Sequence, residues 1–221
     1  MAETITAGWG LAFGMGRCDC HLQFIPAAPR VCRRLVIESV GDMKLSPIVY
    51  YSDFVVYPIL IATVAALALS GATGGDAAWW LAAFGFSVAV WTLLEYALHR
   101  LVLHHLPIVR QMHEEHHVHE SASTGTPLWV SLASFAGLVF LPLWLLAGFA
   151  LVSAVSAGLM TGYLWYVCTH HALHHWHPAH GGYLYRLKRR HALHHHVDSD
   201  SNFGVTTGFW DRVFGTTYVR S

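Results

Sequence analysis

Read only for apolar and polar positions, the chain divides into two kinds of territory. Phe54 to Ser70 and Ala77 to Leu94 are uncharged runs, and Leu128 to Thr169 holds 42 residues without an Asp, Glu, Lys, Arg or His. A helix needs about 20 residues to cross roughly 30 Å of hydrocarbon, so each of the first two runs is one span long. At about 1.5 Å rise per residue the third is twice too long for a single crossing, and we divide it near Gly148 into two. The "GATGGD" separator (71–76) between the first two runs reads as a turn. Any one run would also suit a buried helix of a soluble protein. Four that agree in length and flanks predict an all-α integral membrane fold with four transmembrane helices. Residues 1–42 have neither a defensible hydrophobic period nor a signal-peptide pattern. They read as an N-terminal extension, with Met43 of "MKLSPIVYYSDF" as the expected natural start and 43–221 as the membrane domain.

Composition agrees with this reading: 54% of residues are hydrophobic and 12% charged, against about 25% charged in an ordinary globular domain. Lys plus Arg equals Asp plus Glu at 13 each, so no basic excess points to nucleic acid. Where the charges fall is more informative. With four spans, the N-terminal tail, the segment 95–127 and the C-terminal tail share one side, which collects all 13 cations; the other side has only Asp76. The positive-inside rule makes the cation-bearing side cytoplasmic and predicts a cytoplasmic (inner) membrane location. The four cysteines form neither a CxxC pair nor an even framework, which argues against disulfides and a thiolate metal site.

Seventeen of the 18 histidines lie between His99 and His196, all on the cation-bearing side. They recur as "HRLVLH" (His99, His104), "HEEHH" (His113, His116, His117), "HHALHH" (170–175) and "HALHH" (His191, His194, His195). On a helix, positions i, i+3 and i+4 share a face, so each HxxHH presents three imidazoles in one direction. In the third box either His170 and His174, or His171, His174 and His175, could face a metal; spacing alone does not choose. Imidazole-rich, thiol-free sites suit Fe, Zn, Cu or Ni. His99, His104, His113, His116, His117, His170, His174, His191, His194 and His195 make ten candidate ligands. One four- to six-coordinate ion cannot use ten, so two metal ions are implied. Glu95, four residues before His99, and Asp198 and Asp200 after the last box could orient imidazole N–H groups from behind. His21, His105, His119, His177, His180 and His196 read as ordinary hydrogen-bonded or surface residues. Gly181 and Gly182 read as the turn before "YLYRLKRRHALHHH", whose Arg186, Lys188, Arg189 and Arg190 would meet anionic headgroups. Trp165, Tyr166, Trp176, Tyr183, Tyr185 and Trp210 are candidates to line a path to the site.

From about Tyr50 to Thr217 these motifs resemble the fatty acid hydroxylase superfamily, also called the sterol desaturase family, of membrane histidine-box enzymes. The matching elements are HxxxxH ("HRLVLH"), HxxHH ("HEEHH"), a Tyr-led HxxxH ("YVCTHHALH", Tyr166 to His174) and a terminal HxxHH. The elements "G-YLY-LK", "H-HH" and "FGVT--FWD-VFGT" look most like the fatty acid 2-hydroxylase branch. The stretch "ESASTGTP" after the second box matches no part of that pattern. The resemblance implies a four-span fold, a cytosolic helical, histidine-rich cap holding two metal ions, expected to be iron, and O2-dependent hydroxylation of a membrane lipid's acyl chain. Some members carry a fused cytochrome b5 domain. This chain shows none, so the expected electron donor is an external reductase or electron-transfer protein. A carotenoid hydroxylase or a sterol-modifying oxidase on the same scaffold is the alternative enzyme. A histidine-rich metal transporter or sensor fits less well, because transport sites lie within the spans near the midplane.

Overall fold

The computed structural model describes residues 44–220; the readings made for residues 1–43, His21 and the expected start at Met43 included, lie outside them. Helix α1 (Pro47–Leu69) starts where Ser46 accepts the Val49 N–H and Pro47 fixes the first helical φ. After a reversal at Gly71, whose φ of 79° only glycine adopts freely, Thr73 and Asp76 close a reciprocal capping box on α2 (Gly74–Ala97). α2 runs on through a π-helical segment, Leu98–Leu103. α3 (Pro107–Val118) follows, then α4 (Leu128–Ser134), which continues through a second π-helical segment, Phe135–Phe140, into α5 (Leu141–His175). α6 (Tyr183–His196) and the short α7 (Phe209–Val213) complete the chain. No strand occurs among the described residues.

Three helical stretches, Pro47–Leu69, Gly74–Leu103 and Leu128–His175, are long and apolar enough to cross a membrane. The third is not straight. Gly148 has φ 73° and ψ 178°, outside the helical region, at the position where length alone demanded a break. Phe135 and Tyr163 stand on opposite sides of it with ring centroids 5.7 Å apart, whereas 28 residues of straight helix would separate them by roughly 42 Å. The chain therefore doubles back at Gly148. Both arms pack on α1 and α2 around Tyr57, Trp91, Leu159, Met160 and Tyr163.

The first two helices are longer than their uncharged runs. α1 begins seven residues before Phe54 and includes Asp53; α2 passes Leu94 to take in Glu95 and His99. All three of these polar residues are buried. They point into protein rather than lipid, which is why a hydropathy reading stops short of them.

α5 lies close against α2 because two glycines four residues apart, Gly158 and Gly162, leave room for it, the small-xxx-small contact of membrane helix pairs. A Cβ on Gly158 would sit 2.5 Å from the Phe84 carbonyl oxygen and 2.6 Å from the Ser87 Cβ; one on Gly162 would sit 2.3 Å from the Trp91 Cβ. Above this contact the Trp80 indole N–H donates to Ser153 Oγ at 3.0 Å. Gly158→Val should therefore destabilise the protein by about 1–3 kcal/mol through overpacking, while Gly85→Ala, with open space around its Cβ, should be neutral or stabilising. Thermal unfolding in detergent checks both; equal midpoints for the two variants would contradict the packing.

Candidate metal centre

Four helical segments converge at the ends of α2 and α5 and bring all ten candidate histidines into two groups. His99, His104, His113, His117 and His194 form one; His116, His170, His174, His191 and His195 form the other. Within each, one nitrogen per residue lies within 4.8 Å of all the others. The groups cut across the sequence boxes. On α3 the i, i+4 pair His113 and His117 faces the first group while the i+3 residue, His116, faces the second. α6 does the reverse: His191 and His195 face the second group and His194 the first. The stacked rings of His117 and His195, 4.2 Å apart at 6°, form the seam between them.

The box with five-residue spacing needs a different backbone. In an α-helix, position i+5 points roughly 140° away from i at 3.6 residues per turn. The π-helical turn over Leu98–Leu103 widens the helix, and His99 and His104 come to stack at 5.2 Å in the same group. In the third box His170 and His174 enter the second group. His171 turns instead to the Tyr50 hydroxyl, 2.9 Å from its Nδ1, among Tyr51 and Phe54, and His175 packs on His171.

Hydrogen bonding among imidazoles cannot explain this convergence. His113 Nε2 has the Nε2 atoms of His99, His104 and His117 at 3.0, 3.1 and 3.0 Å. One proton satisfies one of them. Both ring nitrogens of His195 are buried without a hydrogen-bond partner, although a neutral imidazole has both a donor and an acceptor to place. A shared cation resolves both problems. Nitrogens bound at about 2.1 Å and at right angles lie roughly 3.0 Å apart; the Nε2 separations, 2.9 Å for His191 and His174, 3.1 Å for His116 and His170, 3.2 Å for His174 and His170 and 3.3 Å for His104 and His194, cluster around that value. The residues thus fit a pair of metal ions with imidazole donors.

Groups behind the rings fix which nitrogen faces inward. His99 Nδ1 donates to the Phe203 carbonyl at 2.6 Å and His194 Nδ1 to the Ser201 carbonyl at 2.7 Å, leaving each Nε2 as a bare lone pair. His116 Nδ1 meets Thr124 Oγ1 at 2.8 Å. Glu120 Oε2 lies 3.7 Å from His174 Nδ1 and 3.9 Å from His195 Nδ1.

Glu95 differs from the expectation. Its hydrogen bonds reach no imidazole: Oε1 accepts the Val205 and Thr206 N–H groups at 2.9 and 2.6 Å, and Oε2 the Thr206 hydroxyl at 2.7 Å. The carboxylate, 3% exposed, anchors the loop whose carbonyls hold His99 and His194. Asp211, fully buried, does the same from the other side. It accepts from the Phe203 and Gly204 N–H groups at 2.8 and 3.0 Å and pairs with Arg190 at 2.9 Å. Arg190 is therefore turned inward rather than toward headgroups. Asp198 Oδ1 accepts the Asp200 N–H at 3.1 Å, closing the turn that leads to Ser201.

Sequence reasoning missed Thr124, Glu120 and Asp211. Thr124 belongs to the "ESASTGTP" stretch that matched no pattern, and only the return of that stretch over the second group reveals its role. Of the six aromatics proposed for the approach, Tyr166 stacks on His170 at 5.7 Å and lines the cavity beside it; the Trp210 indole bonds Thr92 and the Tyr183 hydroxyl bonds the Thr206 carbonyl. His105, His119 and His196 lie outside the groups, against the Arg100 carbonyl, Glu115 and Glu120.

A cavity of about 390 Å³ opens from the imidazoles between the helices. His99, His113, His116 and His170 line it together with Leu103, Val109, Met112, Val130, Tyr163 and Val167. A buried imidazole cluster beside an apolar tunnel is equipped to bring a hydrocarbon chain to a redox-active metal pair while excluding water.

The profile of the fatty acid hydroxylase family matches residues 84–216, more than half of the chain. The protein belongs to that family and is an integral membrane protein. Among its relatives, the dihydroceramide fatty acyl 2-hydroxylase FAH2 of Arabidopsis thaliana is 35% identical over 140 residues, covering 59% of this chain and 58% of the relative. The human fatty acid 2-hydroxylase is 34% identical over 145 residues, 60% of this chain and 38% of the relative. This chain thus spans little more than half of the first and well under half of the second. The solved structure of full-length scs7p, in which only the hydroxylase domain is visible, superposes with a TM-score of 0.67 at 28% identity, over 80% of this chain and 68% of that one.

Burial, reinforced by neighbouring imidazoles, pulls the His104 pKa from 6.5 to about 4 and those of His116 and His117 to about 3. Between these values and 6.5 the unfolded chain binds more protons than the folded one, so acid favours unfolding. The metal-stripped protein should lose thermal stability steadily as pH falls from about 6.5 toward 3. A midpoint that is flat or rises over that interval would contradict the burial of neutral imidazoles.

Proposed function

We propose that this protein is a membrane-bound dimetal oxygenase that hydroxylates the acyl chain of a membrane lipid. The observation that carries the reading is the pair of five-imidazole groups, members of both of which line a largely apolar cavity. It is supported by the family and by relatives whose names describe fatty acyl 2-hydroxylation. His99, His104, His113, His117 and His194 would hold one ion and His116, His170, His174, His191 and His195 the other. With iron as the expected metal, the pair supplies reduction of O2 and oxidation of a C–H bond when bound. One O2, two electrons and two protons then yield the hydroxylated chain and one water. The electrons come from an external reductase or electron-transfer protein.

The chain's own residues orient and insulate. Phe203 and Ser201 carbonyls and Thr124 hold imidazoles in their ligating orientation, as orienting partners do in other metal sites. The cavity walls desolvate the acyl chain and set which carbon reaches the centre, a positioning effect that a misplacement of about 1 Å can weaken a hundredfold. In topology, the break at Gly148 supports two crossings within Leu128–His175, hence four in all, with the histidine-bearing ends on the cytoplasmic face of the inner membrane. In that arrangement the imidazoles would lie at headgroup depth and the acyl tail among the helices, with oxidation near the carboxyl or amide end of the chain. Expression in a heterologous host should raise 2-hydroxy acyl lipids, and the rise should vanish in His116→Ala. Hydroxylated carotenoids or sterols with unchanged acyl chains would overturn the acyl assignment.

A further inference from the structure

The two imidazole groups are not held equally firmly. In the first, His99 and His194 donate their Nδ1–H groups to the Phe203 and Ser201 carbonyls at 2.6 and 2.7 Å. Both carbonyls belong to the loop fixed by the buried Glu95 and Asp211, and no ring nitrogen of this group is buried without a partner. In the second group, among the described residues, only His116 has a hydrogen bond behind its ring, to the Thr124 hydroxyl at 2.8 Å. His191 Nδ1 and both nitrogens of His195 are buried without one. A ligating imidazole gains basicity and a fixed orientation when its far N–H has an acceptor, and loss of one such partner typically lowers metal affinity about 10–100-fold. The second group therefore starts at a disadvantage.

One surface side chain is placed to reduce it. Glu120, just past the end of α3, is 46% exposed. Its Oε2 lies 3.7 Å from His174 Nδ1, 3.9 Å from His195 Nδ1 and 3.3 Å from Nε2 of the exposed His196. His174 turns its Nε2 to His170 and His191, so its Nδ1 is the outward nitrogen. Among the described residues no other carboxylate comes within 4.0 Å of a ring nitrogen of this group. The distances to His174 and His195 exceed hydrogen-bond length, about 2.7–3.2 Å, by no more than a side chain with three rotatable bonds covers. A carboxylate also brings a negative charge to the ion, which five neutral imidazoles do not. It is delivered by a loop rather than by a buried framework: that loop is held by Thr124 on His116 and by the Ser123 carbonyl, which accepts the Leu45 N–H at 2.9 Å.

We propose that the two metal sites are unequal, that the ion held by His116, His170, His174, His191 and His195 is the weaker bound and leaves first, and that Glu120 is the positioning residue that retains it through the Nδ1–H groups of His174 and His195. The inference rests on the two-metal reading above and deepens it by ranking the sites.

Metal retention tests this without turnover. Iron-loaded protein in detergent is equilibrated with graded EDTA and the iron left per chain is measured. The wild type should lose its iron in two steps of one ion each, at least about tenfold apart in chelator concentration, and crystals held between the steps should show an anomalous peak in the first group alone. Glu120→Ala should move the earlier step by a further tenfold or so and leave the later one in place; Glu120→Gln, which keeps an acceptor and loses the charge, should fall between. A purely structural role for Glu120 would instead shift both steps together. Loss of both ions in one step, a surviving peak in the second group, or an earlier step that Glu120→Ala leaves unmoved would overturn the proposal. Protein that arrives with one ion answers by where its peak lies, and if Glu120→Ala does not fold, the wild-type steps and Glu120→Gln decide. Protein that takes up no iron would refute the two-metal reading itself. Two unequal ions in a protein that hydroxylates no lipid would refute the oxygenase reading and leave the ranking standing.

Discussion

Ten neutral imidazoles can share one small buried volume only if something other than hydrogen bonding pairs their lone pairs, and the fold is organised around that constraint. Each HxxHH helix contributes to both groups. α3 gives its i, i+4 pair to the first and its i+3 residue to the second, and α6 does the opposite. The two helices must therefore face each other across the seam where His117 stacks on His195. α2 and α5 close the arrangement from the membrane side, one with a π-helical turn under His99 and His104 and the other with the ordinary i, i+4 pair His170 and His174. With such an exchange neither group can be completed by one helix, so assembling the centre and docking the lobe on the spans are a single event.

From the imidazoles the constraint passes outward through backbone rather than through further histidines. The carbonyls of Ser201 and Phe203 fix two rings, and the loop that bears them is held by two buried carboxylates. Carboxylates accepting two or three short hydrogen bonds are worth burying; stripped of those bonds they would be strongly destabilising. Glu95 belongs to α2 and Asp211 to α7, so the loop is tied at once to a membrane helix and to the C-terminal segment. Asn202, with φ 56°, turns the loop between the two anchored carbonyls and accepts the Tyr218 N–H. Geometry at the centre thus depends on residues far from it in sequence.

Much of this was legible in the chain. Hydrophobic run lengths demanded a break near Gly148, where the helix does turn back, and i, i+3, i+4 spacing singled out the six histidines of the two HxxHH boxes among the ten that converge. What spacing could not supply was anything set by tertiary contact. The same i+3 residue that shares a helical face with its neighbours serves a different group, because the opposite helix supplies the rest. The third box offered His170 and His171 equally, and only the packing of His171 on Tyr50 separates them. Glu95 looked like a partner for imidazoles one turn away, yet it reaches residues more than a hundred positions distant. Thr124 gave no local signal at all, lying in a loop that matched no motif.

The central claim is the reciprocal partition of the boxes between two ions. Anomalous scattering from crystals of the metal-loaded protein, collected at the absorption edge of the bound metal, tests it most directly. The account predicts two peaks, one enclosed by His99, His104, His113, His117 and His194 and the other by His116, His170, His174, His191 and His195. A single peak, or two peaks each ligated by all three histidines of one HxxHH helix, would contradict it.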